Sequence, residues 1–225
     1  AWLMNQLSPE LFVSLIHEFG VLNQEIEPAM SLCLGACEIS VLEMVSAYTG
    51  FAKEGMRRTP RFITKIEDSD GNVLATFVPQ IRHVISRDAA WKMVELMRGV
   101  MDGGTGSRMR FKYNIKSPMG GKTGTTNDQS DGWFIGYTPS LTAGVWVGAE
   151  DRQVHFESLA LGGGSNMALP IWGIFMQKVI NDGTLGVYET DRFIKPMGVE
   201  LNLDCDGSDA DAMVSAQEEE DYFFE

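Results

Sequence analysis

The sequence predicts an α+β fold, an antiparallel sheet flanked by helices, and three features carry that expectation. Segments with apolar residues at helical spacing and recognisable caps stand near both ends of the 225-residue chain. Between them, Gly120 to Thr126, Gly132 to Thr138 and Leu141 to Val147 are short β-prone runs punctuated by glycine, the last two joined at Pro139-Ser140. They read as three adjacent antiparallel strands. The third feature is Asp68-Ser69-Asp70-Gly71, which has hairpin-turn chemistry and lies between the β-prone runs Arg61 to Glu67 and Asn72 to Phe77.

In chain order, Ser8-Pro9-Glu10 supplies an N-cap and a proline at the first helical position, with Leu11, Phe12, Leu15, Ile16 and Phe19 as the apolar side and Gly20 as the stop. Glu27 to Glu38 contains Pro28 and Gly35 and reads as a loop packing Met30, Leu32 and Leu34. Ser40-Val41-Leu42-Glu43 is a capping box, in which the serine hydroxyl and the glutamate carboxylate each satisfy a free backbone N–H at a helix start. That helix is expected to run to about Glu54, before Gly55. The hairpin, about Arg61 to Phe77, is expected to stand apart as a small appendage. Ser86 to Met101 is a further helix with Ala90, Met93, Val94, Met97 and Val100 on its apolar side, ended by Gly103-Gly104-Thr105-Gly106. Gly162-Gly163-Gly164 reads equally as a loop at a cleft rim and as a plain loop before a helix; after Ser165 a last apolar helix is expected from about Met167 to Ile180, with Pro170 in its first turn, where a missing N–H costs little.

Composition narrows function. The chain is 44% hydrophobic and 22% charged, a globular profile large enough to bury a core without staples. Its net charge is −13, with ten acidic and no basic residues from Glu200 to Glu225, which leaves −3 for residues 1–199. This argues against nucleic acid, which requires a basic footprint. The acidic end, poor in branched apolar residues, is expected to be a disordered tail. No run of 18 apolar residues exists, so no membrane span is expected. Ala1 is not an initiator methionine and is read as a cut within a longer protein. Cys33, Cys37 and Cys205 include no CxxC pair and His17, His83 and His155 stand far apart, so no metal is expected; Cys33 and Cys37 read as small buried side chains.

The chemistry-bearing stretch is Gly120-Gly121-Lys122-Thr123-Gly124-Thr125-Thr126. A phosphate-binding loop, G-x-x-x-x-G-K-[ST], fails here, because Lys116 stands where the first glycine is required and the following Asn-Asp-Gln-Ser-Asp-Gly is a turn rather than a helix start. The alternative is K-T-G on a strand, the third element of the serine acyl-transfer enzymes that recognise penicillin. Lys122 would place a fixed positive charge beside a nucleophile and a substrate carboxylate. Gly124 would let substrate backbone lie against the strand. The hydroxyls of Thr123 and Thr125 can donate to a carboxylate, Thr126 lies beside them as a further substrate contact, and the Thr125 N–H can help hold an oxyanion. Trp133 and Trp146 read as core rather than ligand platform, and Asn127 and Asp128 as turn residues.

The surroundings carry a family resemblance. The K-T-G run, Asp131-Gly132-Trp133-Phe134-Ile135-Gly136-Tyr137-Thr138-Pro139 and Gly144-Val145-Trp146-Val147-Gly148 resemble the C-terminal half of the transpeptidase domain of class A penicillin-binding proteins. Ser31 to Tyr48 is similar to the family's S-L-x-L-G stretch ending L-E-M-x-x-A-Y. Pro60 with the hairpin, Gly103 to Gly106 and Met167-Ala168-Leu169-Pro170-Ile171-Trp172 match in order. The likeness spans roughly residues 1–190, leaving 191–225 as the tail.

The resemblance implies the C-terminal portion of a penicillin-binding, β-lactamase-like fold, with K-T-G on an inner strand. It further implies a peptidoglycan DD-transpeptidase, acting on D-alanyl-D-alanine stem peptides outside the cytoplasm, inhibited by β-lactams and using no cofactor. The family's nucleophile motif S-x-x-K and relay motif S-x-N do not occur in this sequence; Ser130-Asp131-Gly132 has glycine where asparagine is required. Both are expected upstream, with a glycosyltransferase domain and membrane anchor, and the cut is expected to fall just beyond S-x-N. The isolated chain is therefore expected to be inactive. A β-lactamase or DD-carboxypeptidase, in which water replaces the acceptor amine, and a non-catalytic peptidoglycan-binding scaffold are the alternatives.

Overall fold

The structure is a computed structural model that describes residues 2–201. It opens with α1 (Trp2–Gln6) and α2 (Pro9–Glu18). Ser8 caps α2 by accepting the Leu11 N–H, as its place before Pro9 requires. Phe12 and Ile16 pack toward a small core of Met4, Val21, Ile26 and Leu32, and Phe19 is buried, whereas Leu11 and Leu15 face outward.

The expected loop at 27–38 contains one 3-10 turn, Met30–Leu34. Only its Leu32 is buried; Met30 and Leu34 are exposed, because a three-residue period carries one side chain of the turn inward and rotates the others out. Cys33, expected in the core, is exposed on the same turn, and Cys37 is half-buried. Cys205 lies outside the described residues.

α3 (Val41–Ala52) starts on the expected capping box. The Ser40 N–H donates to Glu43 Oε2 at 2.8 Å, Glu43 N–H donates to Ser40 Oγ at 3.3 Å, and the Leu22 N–H reaches Glu43 Oε1 at 2.6 Å. Partial burial pushes the Glu43 carboxyl up, but the hydrogen bonds from Ser40 and Leu22 outweigh it and hold it below the ordinary range. Glu43 therefore ties the start of α3 to the segment after α2.

Next comes β1 (Met56–Arg58), then the hairpin of β2 (Lys65–Glu67) and β3 (Val73–Thr76), then β4 (Ile81–His83), which pairs antiparallel with β1. The hairpin strands are shorter than the β-prone runs and are exposed on both faces, apart from the half-buried Ala75, so the segment is an appendage on a β1–β4 base. Asp68 holds its turn by accepting the N–H groups of Asp70 and Asn72 and the Asn72 side-chain amide. β1 and β4 escape sequence reading because three residues are too few to show alternation.

α4 (Arg87–Asp102), capped by Ser86, buries Ala90, Val94, Met97 and Met101. The four-residue α5 (Arg108–Phe111) follows, then β5 (Gly120–Thr125), β6 (Asp131–Tyr137) and β7 (Thr142–Gly148) in an antiparallel sheet of order β5-β6-β7. After α6 (Leu159–Gly162), α7 (Ala168–Asn181) covers one face. Its Trp172 is fully buried, lies edge to face with Phe134 at 5.2 Å and donates Nε1–H to Ala143 O at 3.1 Å. The opposite face meets α3, where a Cβ on Gly144 would lie 2.7 Å from Val45.

Two expectations about the sheet are corrected. The K-T-G strand is an edge strand among the described residues, not an inner one; strand order is set by long-range pairing that local sequence does not encode. Trp133 and Trp146 are cross-strand partners near the open end of the sheet, with Trp146 41% exposed. α3 covers the Ile135–Gly144 end of that face and leaves the tryptophan end to solvent. Beyond α7 the chain still packs on the body: Val187 and Val199 are buried, and the Phe193 ring stands 5.7 Å from Tyr137. The expected tail boundary at 190 thus falls ahead of residues that belong to the body, and 202–225 lie outside the described residues.

Candidate active site

Alternation on β5 sorts the candidate residues. Lys122 and Gly124 point to the face shared with Ile135 and Trp133; Thr123 and Thr125 point to the face shared with Phe134 and Gly132. The Thr126 N–H donates to Asp131 O on β6 at 3.2 Å. Because N–H groups along a strand alternate sides, those of Thr125 and Thr123 point away from β6, to the free edge. Gly120 and Gly121 are buried, since a Cβ on Gly121 would lie 2.9 Å from Phe134 and 3.2 Å from Met101 of α4. From Lys122 onward the strand is open, with Lys122 and Thr125 exposed and Thr123 and Gly124 half-buried.

The Lys122 ammonium donates to Thr123 O at 2.9 Å. That carbonyl faces the free edge, so the positive charge is held over the edge with two of its three donors unspent on this bond. Thr125 Oγ1 accepts the Gly164 N–H at 2.9 Å, and Thr123 Oγ1 lies 3.0 Å from Thr105 Oγ1. The edge therefore presents an ammonium, two hydroxyls and outward backbone N–H groups within four consecutive residues. Such a set can bind a carboxylate and stabilise a carbonyl oxygen that gains charge. An unpaired edge can also accept an extended peptide as an added strand.

Thr126 stands apart from this set. Its hydroxyl lies 2.9 Å from Ser130 Oγ and accepts the Asp131 N–H at 2.9 Å, closing the turn between β5 and β6. Within that turn, Asp128 and Gln129 both adopt left-handed backbone, at φ 58° and 55°, in keeping with Asn127 and Asp128 as turn residues.

Sequence reasoning missed three supports. Thr105 stands in a helix-ending glycine run that also carries the family resemblance, with no sign in the sequence of a partner, and the structure sets it against Thr123. Gly164 lies over the sheet so closely that a Cβ would sit 2.2 Å from Gly124 O and 2.7 Å from Trp133 O; the Gly162-Gly163-Gly164 run, open in sequence to a cleft-rim loop or a plain loop, signals the loop but not this contact. Arg108 anchors the loop beyond it, donating to Ser165 O at 3.3 Å and to Asn166 Oδ1.

A family model described as the penicillin binding protein transpeptidase domain matches residues 16–157. Penicillin-binding protein 1A of Aquifex aeolicus is 33% identical over 202 residues, covering 89% of this chain and 26% of that protein. Penicillin-binding protein 1A of Neisseria cinerea is 32% identical over 174 residues, covering 75% of this chain and 21% of that protein. Among solved structures, penicillin-binding protein 1A of Haemophilus influenzae superposes with a TM-score of 0.77 at 24% identity, covering 89% of this chain and 34% of that one. PonA1 of Mycobacterium tuberculosis gives 0.71 at 24% identity, covering 85% and 53%. The chain thus spans about a quarter of the length of these curated relatives.

Proposed function

Since the chain belongs to the penicillin-binding protein transpeptidase family, we propose that it forms the K-T-G wall of the cleft of a peptidoglycan DD-transpeptidase. Residues 1–190, together with the segment through Val199 that packs on the same body, form the C-terminal part of that domain. The nucleophile lobe, with S-x-x-K and S-x-N, a glycosyltransferase domain and the anchor belong to a longer protein, and the reaction takes place outside the cytoplasm. Among the described residues no helix is long and apolar enough to cross a membrane.

In the proposed reaction a serine oxygen of the nucleophile lobe attacks the carbonyl of the penultimate D-alanine. The C–N bond to the terminal D-alanine breaks, the leaving amine takes a proton, and an acyl-enzyme ester forms. An acceptor amine from a neighbouring stem peptide then attacks the ester, which returns the serine hydroxyl and makes the crosslink. Lys122 supplies positive charge beside the nucleophile and substrate. Thr123 and Thr125 donate their hydroxyls to the terminal carboxylate, the Thr125 N–H faces the carbonyl oxygen, and Gly124 leaves room for substrate backbone. A β-lactam enters the same cleft by presenting a carboxylate beside a strained amide carbonyl. The observation that carries this reading is the open half of β5, where the charge, hydroxyls and N–H groups line one edge. PonA1, one of the structural relatives, has been solved in complex with penicillin V.

The test is labelling by a fluorescent penicillin of this chain alone and of a chain extended upstream through both motifs. Only the extended chain is expected to label. This chain lacks the nucleophile and its base, and proton transfer by a positioned base alone contributes about 10²–10⁴-fold. A folded extended chain that fails to label would overturn the proposal.

A further inference from the structure

We infer that Thr105 is a positioning residue that sets the hydroxyl rotor of Thr123, so that the Thr123 proton is presented to the carboxylate of the bound peptide or β-lactam. The inference rests on the reading of β5 given above and extends it to a residue outside the K-T-G strand.

A threonine hydroxyl has one proton to donate and two lone pairs with which to accept. At Thr125 the assignment is fixed, because its scaffold partner is the Gly164 N–H, which can only donate. Thr125 accepts from the scaffold and keeps its proton for a ligand. Thr123 meets a hydroxyl instead, Thr105 Oγ1 at 3.0 Å, and this bond can run either way. If Thr123 donates, its proton is spent on Thr105. If Thr105 donates, Thr123 is left in the same state as Thr125. A carboxylate at the edge selects the second direction, because the chain from Thr105 through Thr123 to the anion then points both protons toward negative charge, and each bond polarises the next.

The backbone holds Thr105 in this place. The N–H groups of Gly103 and Gly104 both donate to Gly99 O at 3.1 Å, and that of Gly106 donates to Val100 O at 2.9 Å, folding the loop back over the end of α4. A Cβ on Gly106 would lie 2.5 Å from Met101 Sδ, and one on Gly104 3.0 Å from Val100 backbone. The flanking glycines permit the turn that delivers Thr105 to β5. Thr105 itself is exposed, so core packing does not account for its position.

The test uses the chain extended through S-x-x-K and S-x-N, with acylation rate constants for a penicillin and for its methyl ester, which has no carboxylate. Thr105→Val is expected to slow the penicillin about five- to tenfold, the worth of one neutral hydrogen bond, while Thr105→Ser stays within about twofold. The ester rate should be unchanged by Thr105→Val, and adding Thr105→Val to Thr123→Val should cost nothing further. Equal penicillin rates for Thr105→Val and the unsubstituted chain would overturn the inference. So would equal slowing of penicillin and ester, which would mark a merely structural role. If the unsubstituted extended chain is not acylated at all, the reading of the site fails and this inference falls with it.

Discussion

Lys122→Ala, in a chain extended through the nucleophile motif, is expected to reduce the acylation rate by a β-lactam by about 10²–10³-fold, the range seen when a fixed donor is taken from developing charge. Fold stability should change by no more than about 0.5 kcal/mol, as is usual for surface substitutions. Both expectations follow from one geometry. The side chain is exposed and, among the described residues, donates to the carbonyl of its own neighbour, Thr123, so the fold gains little from it while the free edge gains a placed positive charge. Lys122→Arg should not restore the rate, since a planar fork cannot replace a compact ammonium on this edge. Stopped-flow acylation together with urea unfolding checks the split; a loss of stability in proportion to the loss of rate would contradict it.

Gly164→Val is expected to harm both fold and site. Even its Cβ would fall 2.2 Å from Gly124 O and 2.7 Å from Trp133 O, and both are backbone atoms of the paired strands β5 and β6. They cannot move aside as the tip of a flexible side chain would. Overpacking typically costs about 1–3 kcal/mol and sometimes more, and this site belongs at the upper end, at about 3 kcal/mol. Relief by lifting the loop would also remove the Gly164 N–H from Thr125 Oγ1 and so disturb the hydroxyl proposed to meet the carboxylate. Gly183→Ala is the control, because a Cβ there meets nothing within 4 Å. Urea unfolding of the two variants should separate them by most of the expected cost; equal stability would show that the loop yields without loss.

What was legible in the sequence is what local chemistry encodes. The Ser40–Glu43 box, the Ser8-Pro9 start and the three glycine-punctuated strands fell within a residue or two of their places because caps and turns depend on neighbours in the chain. The K-T-G run was found with its surroundings, and alternation alone separates Lys122 from Thr123 and Thr125. Facts that depend on distant partners were not legible. The edge position of β5, the exposure of Trp146 and the contact of Thr105 with Thr123 follow from how α3, α4 and the sheet come together. Thr126 shows the same limit: its place beside the motif suggested a substrate contact, and its bonds to Ser130 and Asp131 show a hydroxyl committed to the turn.

Whether this chain walls a transpeptidase cleft is decided by supplying the extended chain with a stem peptide ending in D-alanyl-D-alanine and an acceptor amine. Released D-alanine and crosslinked peptide are then measured together. One D-alanine should be released for each crosslink formed, with both products lost in Lys122→Ala. D-alanine release without crosslinking at saturating acceptor would assign the cleft to a hydrolase, and neither product from a folded chain would contradict the acyl-transfer reading.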